Sequence, residues 1–209
     1  MKKSITLVEI IFILVVVSIL YSISIPKKQD SKLFDATNYI VTYLNYTRYL
    51  ALIDNKFDLD DSLWHKKWWR LRFENCIKSK GGVYFIVTSD DNTTGQAKKS
   101  HSAKDPLTNR YLYSRYYCDA KEDESKYVLL TQEFDIVKVE LTCNATDSIG
   151  QIIYNDKGEV FSKVANTIDE TYAKYEIRQK CYIYLYDKNN NKSTIIIEPK
   201  TGYAYVNSQ

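Results

Sequence analysis

The chain has 209 residues, which is room for one domain of ordinary size plus an anchoring helix. Hydrophobic residues at 44% and charged residues at 26% exclude wholesale disorder. The formal charge is +3, and setting aside Lys2, Lys3 and Glu9 leaves 27 basic and 25 acidic side chains, which excludes the basic excess that duplex DNA demands.

The first element is apolar. The chain opens Met1-Lys2-Lys3-Ser4-Ile5-Thr6-Leu7-Val8-Glu9, and no charge follows from Ile10 to Ile25. As a helix, 5–25 would rise about 32 Å, the thickness of a bilayer's hydrocarbon core. A secretory signal peptide cut after Ser22-x-Ser24 is the plain alternative, but the apolar run exceeds the usual ~7–15 residues. A simple signal anchor is another. Neither gives Glu9 a purpose, and a carboxylate in such a segment calls for a partner.

These residues resemble the leader of type IV prepilins: a short basic leader, a small residue, then a hydrophobic residue followed by Thr-Leu-x-Glu. The resemblance implies cleavage by prepilin peptidase between Ser4 and Ile5, and methylation of the new amine on Ile5. Ser4 stands where the family usually carries Gly. Glu9 falls at the fifth mature position, where the family has its glutamate, and Pro26 where many members have a helix-kinking proline. Glu9 would neutralise the amine of a neighbouring subunit and set the stagger between subunits, a register role that buried ion pairs can serve.

A second helical pattern runs from Leu33 to about Ile53. Leu33, Ile40, Leu44 and Ala51 fall on one stripe, with Phe34, Val41, Tyr43 and Leu50 beside it. Asp35, Asn38, Asn45 and Arg48 fall on the opposite, polar side.

Beyond Ile53 the period changes to two, and nineteen tyrosines suit a strand-rich body. Trp69, Leu71 and Phe73 alternate with Arg70, Arg72 and Glu74. Strands are predicted over 83–88, after the turn at Gly81-Gly82, and over 127–130, 137–143, 152–154 and 160–164, the last two joined by Asn155-Asp156-Lys157-Gly158. Three more, over 181–186, 193–198 and 203–206, form a meander with turns at 187–192 and 199–202. This body resembles H-type minor pseudopilins of type II secretion. The matching stretches are Ala51-Leu52-Ile53-Asp54 leading to Trp68-Trp69-Arg70-Leu71-Arg72-Phe73, then Tyr154-Asn155-Asp156-Lys157-Gly158, then Ile197-Glu198-Pro199-Lys200-Thr201-Gly202.

Four cysteines, Cys76, Cys118, Cys143 and Cys181, contain no Cys-x-x-Cys pair and no ligand-like spacing to His65 or His101, which argues against a zinc site. An even count in an exported chain reads as two disulfides. Of three connectivities, Cys143–Cys181 with Cys76–Cys118 is favoured, because each bridge then staples one predicted strand to the next.

The segment Trp64-His65-Lys66-Lys67-Trp68-Trp69-Arg70 could stack and neutralise single-stranded nucleic acid, and some filament subunits of competent bacteria bind DNA. The favoured reading is a loop feeding an edge strand, with Trp69 in the core and Arg70 and Arg72 in solvent. The acidic loop of Asp54, Asp58, Asp60 and Asp61 lacks EF-hand spacing and reads as solvated rather than calcium-binding. The run Asp119 to Glu124 reads the same way. Asp90-x-Asn92-x-Thr94 matches a bacterial glycosylation acceptor but fits a turn better. His65 and His101 lie in polar stretches and read as exposed, and no phosphate loop or metalloprotease motif is present.

The expectation is therefore an α+β pilin fold: a long N-terminal helix, transmembrane half plus amphipathic half, packed on an antiparallel β domain. Its divisions are a leader at 1–4, a transmembrane helix at 5–25, an amphipathic continuation at 26–54 and a periplasmic β domain at 55–209. The expected function is a non-enzymatic minor pilin or pseudopilin of a type IV pilus or type II secretion filament, without cofactor or metal. Its expected partners are prepilin peptidase, other pilins and the inner membrane, which it would cross once with its C-terminal domain in the periplasm. A nucleic-acid partner is not expected. The alternatives are a DNA-binding competence-filament subunit and a membrane-tethered binding module outside any filament.

Overall fold

A computed structural model describes residues 7–24, 31–165 and 172–207. Ser4, Ile5 and Pro26 lie outside these residues. The chain divides into two compact units, Met1–Ser31 and Lys32–Gln209.

The first unit holds helix α1, Leu7–Ser24. The second begins on α2, Ser31–Ile53. The long helix expected through 5–54 is thus two separate elements, and neither spans that stretch. Among the described residues, no helix is long and apolar enough to cross a membrane. The 18 residues of α1 rise only about 27 Å and carry Glu9 in the first turn. The expected transmembrane helix and single-pass inner-membrane placement are corrected on that finding.

Apolar periodicity explains α2. Leu33, Ala36, Ile40, Tyr43, Leu44 and Ala51 are buried along one stripe. Thr37 and Thr47 are also buried, and each hydroxyl donates to the carbonyl four residues back, Leu33 O at 2.7 Å and Tyr43 O at 2.6 Å. No polar atom of theirs is left wanting in the core.

The body has two four-stranded antiparallel sheets. The first contains β1 (Trp69–Asn75), β2 (Val83–Thr88), β4 (Gly150–Tyr154) and β5 (Val160–Phe161), in the order β2-β1-β4-β5. The second contains β3 (Ile136–Leu141), β6 (Cys181–Asp187), β7 (Lys192–Ile197) and β8 (Ala204–Val206), in that order. The split has a cause in burial. All six residues of β2 and all five of β4 are buried, so both faces of the first sheet are covered and it needs a second layer. Strand β6 instead alternates, Ile183 and Leu185 inward and Tyr182, Tyr184 and Tyr186 half-buried outward.

The stretch 127–130 is helical rather than extended. A 3-10 turn at Lys126–Val128 leads into α3, Leu130–Phe134, which ends on Asp135 at φ 58°. A short unbroken apolar run carries no period to choose between helix and strand, and here packing chose helix.

Two tight turns meet in space. At Gly202, φ is +65° and a Cβ would lie 2.5 Å from Gly158 O and 2.8 Å from the Tyr154 ring, so only glycine fits. Asn155 shapes the facing turn, accepting from Lys157 N (3.0 Å) and Glu159 N (2.9 Å). The disulfides are Cys76–Cys118 and Cys143–Cys181, the pairing favoured above, with Cα separations of 5.7 and 5.3 Å. They tie β1 to the loop after Tyr117, and the end of β3 to the start of β6.

Candidate functional site

A helix that packs on one side buries one stripe of its surface. Helix α1 buries none: the described side chains from Leu7 to Ile19 are all exposed, Leu7 at 75%, Val8 at 74% and Phe12 at 68%. Glu9 sits in its first turn and is exposed. A carboxylate in the first turn is favoured by the positive end of the helix dipole. Ser18 satisfies its hydroxyl by donating to Leu14 O. The first unit therefore presents an apolar rod with one acidic group near its start, an arrangement that can associate with apolar helices and pair with a cation.

The aromatic and basic segment at 64–70 folds inward. Trp68 is 3% exposed and packs on Phe161 at 4.8 Å between ring centres, with Ile153 and Val164 in the same small core. Trp69, expected in the core, is only partly buried and donates its indole N–H to Asp54 at 2.8 Å. Arg70, expected in solvent, is 3% exposed, donates to Lys66 O and Trp68 O, and has its pKa pushed down to about 10 by burial. His65 was also expected to be exposed; it is buried, with Nε2 at 3.2 Å from Ala165 O, so that nitrogen carries the proton. These side chains are a structural plug beneath the first sheet, and none forms a stacking platform.

The acidic loop is equally committed. Asp54 and Asp91 both pair with Lys56, at 2.7 and 3.2 Å. Asp61 pairs with Lys67 at 2.7 Å and accepts from Leu63 N. The hydrogen bond from Lys67, then that from Leu63 N, holds the Asp61 carboxyl below its ordinary value. Among the described residues, no group of three or more His, Cys, Asp or Glu is placed to hold a metal ion. In the run 119–124, Asp123 pairs with Lys99 at 2.8 Å, while Glu124 is 2% exposed and accepts from Lys121 N at 3.0 Å. That run is not merely solvated, as expected, because Glu124 closes its own turn from inside. At 90–94, Asp90 is buried and accepts from Gly95 N at 2.6 Å, so this stretch is a turn.

No family model, no curated protein and no solved structure matches the chain.

Proposed function

We infer that the chain is a subunit of a type IV pilin-like filament, of the minor pilin or pseudopilin kind, matured by prepilin peptidase and methylated on Ile5. The observation that carries this reading is the exposure of large apolar side chains all around α1. A rod of this kind gains free energy only among apolar neighbours. The same helix on adjacent subunits supplies them, and side-by-side packing of such helices is a filament core.

Glu9 then acts in register. Once Ser4 and the residues before it are removed, Ile5 bears a free amine, and the Glu9 carboxylate of an adjacent subunit neutralises it. Either charge alone would be costly among apolar helices, so the pair favours one stagger over others. The two disulfides fit a body matured in an oxidising compartment. A nucleic-acid-binding variant of the filament is not favoured, because Trp68 and Arg70 are buried.

Intact-mass and N-terminal peptide measurement of protein from its native host tests the maturation. The expected chain begins at methylated Ile5. A chain beginning at Ile25, or one retaining Met1 to Ser4, contradicts the reading.

A further inference from the structure

Helix α2 places Tyr39, Tyr43 and Tyr46 at positions i, i+4 and i+7, so the three rings share one side of the helix. The loop through Asp105 and Leu107 faces them, and together with Thr42 they line a groove of about 440 Å³. Its walls are fixed by packing. The Tyr39 ring lies 6.1 Å from Tyr43, 5.1 Å from Tyr127 and 5.3 Å from Phe134. Tyr43 leans on Phe85 at 5.5 Å, and the Tyr46 hydroxyl donates to Lys104 O at 3.0 Å.

The floor carries a charge. Asp105 is 2% exposed, and its carboxylate accepts from Leu107 N (3.0 Å) and the Thr108 hydroxyl (2.7 Å). Burial first, and Asp105 second, push the Tyr43 phenol well above its ordinary pKa, so it remains a neutral donor at physiological pH. Among the described residues, every hydrogen-bond donor to this carboxylate is neutral, and no lysine, arginine or histidine forms a salt bridge with it. A buried anion is costly without a counter-charge. Beside it stand the rings of Tyr39, Tyr43 and Tyr46, aromatic groups whose quadrupoles attract cations, and an exposed apolar rim at Leu107.

We propose that this groove binds an organic ammonium ion of the choline class, its alkylated nitrogen against the rings of Tyr39 and Tyr46 and its charge balanced by Asp105. Asp105 stands in no cluster of three or more His, Cys, Asp or Glu among the described residues, so the groove lacks the several anionic ligands that a bare divalent metal ion would want. It rejects anions through Asp105. An alkylated ammonium satisfies both halves of the site: its charge answers the carboxylate, and its methyl groups fill the apolar space. The argument is independent of the filament reading, since it uses only residues of the second unit.

The test is calorimetric titration of the purified full-length chain with choline chloride and, separately, with dimethylbutanol, its uncharged carbon isostere. The expected result is saturable choline binding, with the isostere at least about tenfold weaker. Tyr39→Leu and Asp105→Asn should each weaken choline binding about tenfold. Absence of choline binding, or equal binding of choline and the isostere, overturns the proposal even if a variant fails to fold. So does an Asp105→Asn protein with unchanged melting temperature and unchanged choline affinity.

Discussion

The side-chain amide of Asn45 and the backbone of Ala204 hold each other by two reciprocal hydrogen bonds: Asn45 Nδ2 donates to Ala204 O at 2.9 Å, and Ala204 N donates to Asn45 Oδ1 at 3.1 Å. Ala204 opens β8, the last strand of the second sheet. An edge strand presents backbone groups that would otherwise pair with another chain, and here a helix side chain occupies two of them. Arg48, one turn later, donates to Thr201 O in the preceding turn. Replacing Asn45 by Ala leaves both backbone groups of Ala204 unanswered, at a cost of roughly 1–3 kcal/mol. Urea denaturation of the variant checks this; a midpoint equal to wild type would mean that water serves the edge equally well.

Gly202 should tolerate no side chain. Gly202→Ala would set a methyl 2.5 Å from Gly158 O while requiring φ +65°. The expected loss is on the order of 1–3 kcal/mol, larger than for Gly95→Ala, where φ is also positive but nothing lies within 4 Å. Thermal denaturation of the two variants side by side makes the comparison, and equal losses would refute the steric argument.

The disulfides should contribute nearly equally. They enclose 42 and 38 residues, and the chain-entropy relation gives about 4 kcal/mol for each. Paired Cys→Ser variants at Cys76 and Cys118, and at Cys143 and Cys181, should lose similar stability in urea. A negligible loss for either pair would show that its bridge does not constrain the unfolded chain.

Three tyrosines should govern stability in alkali. Burial holds Tyr43, Tyr84 and Tyr154 well above the ordinary phenol pKa. In the unfolded chain each ionises near its ordinary value of about 10. The folded state retains the protons, so stability is unaffected below about pH 10 and falls as the pH rises above it. Phenolate absorbance should show a late class of tyrosines that ionise together with loss of ellipticity. If every tyrosine titrated before unfolding, the burial argument would fail.

Much of this fold was legible because local chemistry and tertiary context agree. Strand β1 shows its alternation at Leu71 and Phe73, Asn155-to-Gly158 carries turn chemistry in its own side chains, and cysteine placement between strands suggested the pairing that the structure has. What was not legible depends on distant residues. Asn45 reads as a polar-face residue, and only the return of the chain at Ala204 makes it a bracket. Arg70 alternates as a solvent position, yet it is buried and donates to the carbonyls of Lys66 and Trp68. The run 127–130 has no period to read. At the candidate sites, Glu9 and the apolar start of α1 stand out in the sequence. The groove that Tyr39 and Tyr43 share with Asp105 does not, because a loop far along the chain brings the carboxylate to the helix.

The most direct test of the filament reading compares wild type and Glu9→Ala in the native host, measuring by quantitative mass spectrometry how much of each enters the sheared filament fraction. Glu9→Ala should accumulate with intact disulfides and be cleaved before Ile5, yet be depleted from filaments by about tenfold or more, the loss expected for an uncompensated buried amine. Wild-type protein absent from filaments, or Glu9→Ala incorporated as efficiently as wild type, would contradict it.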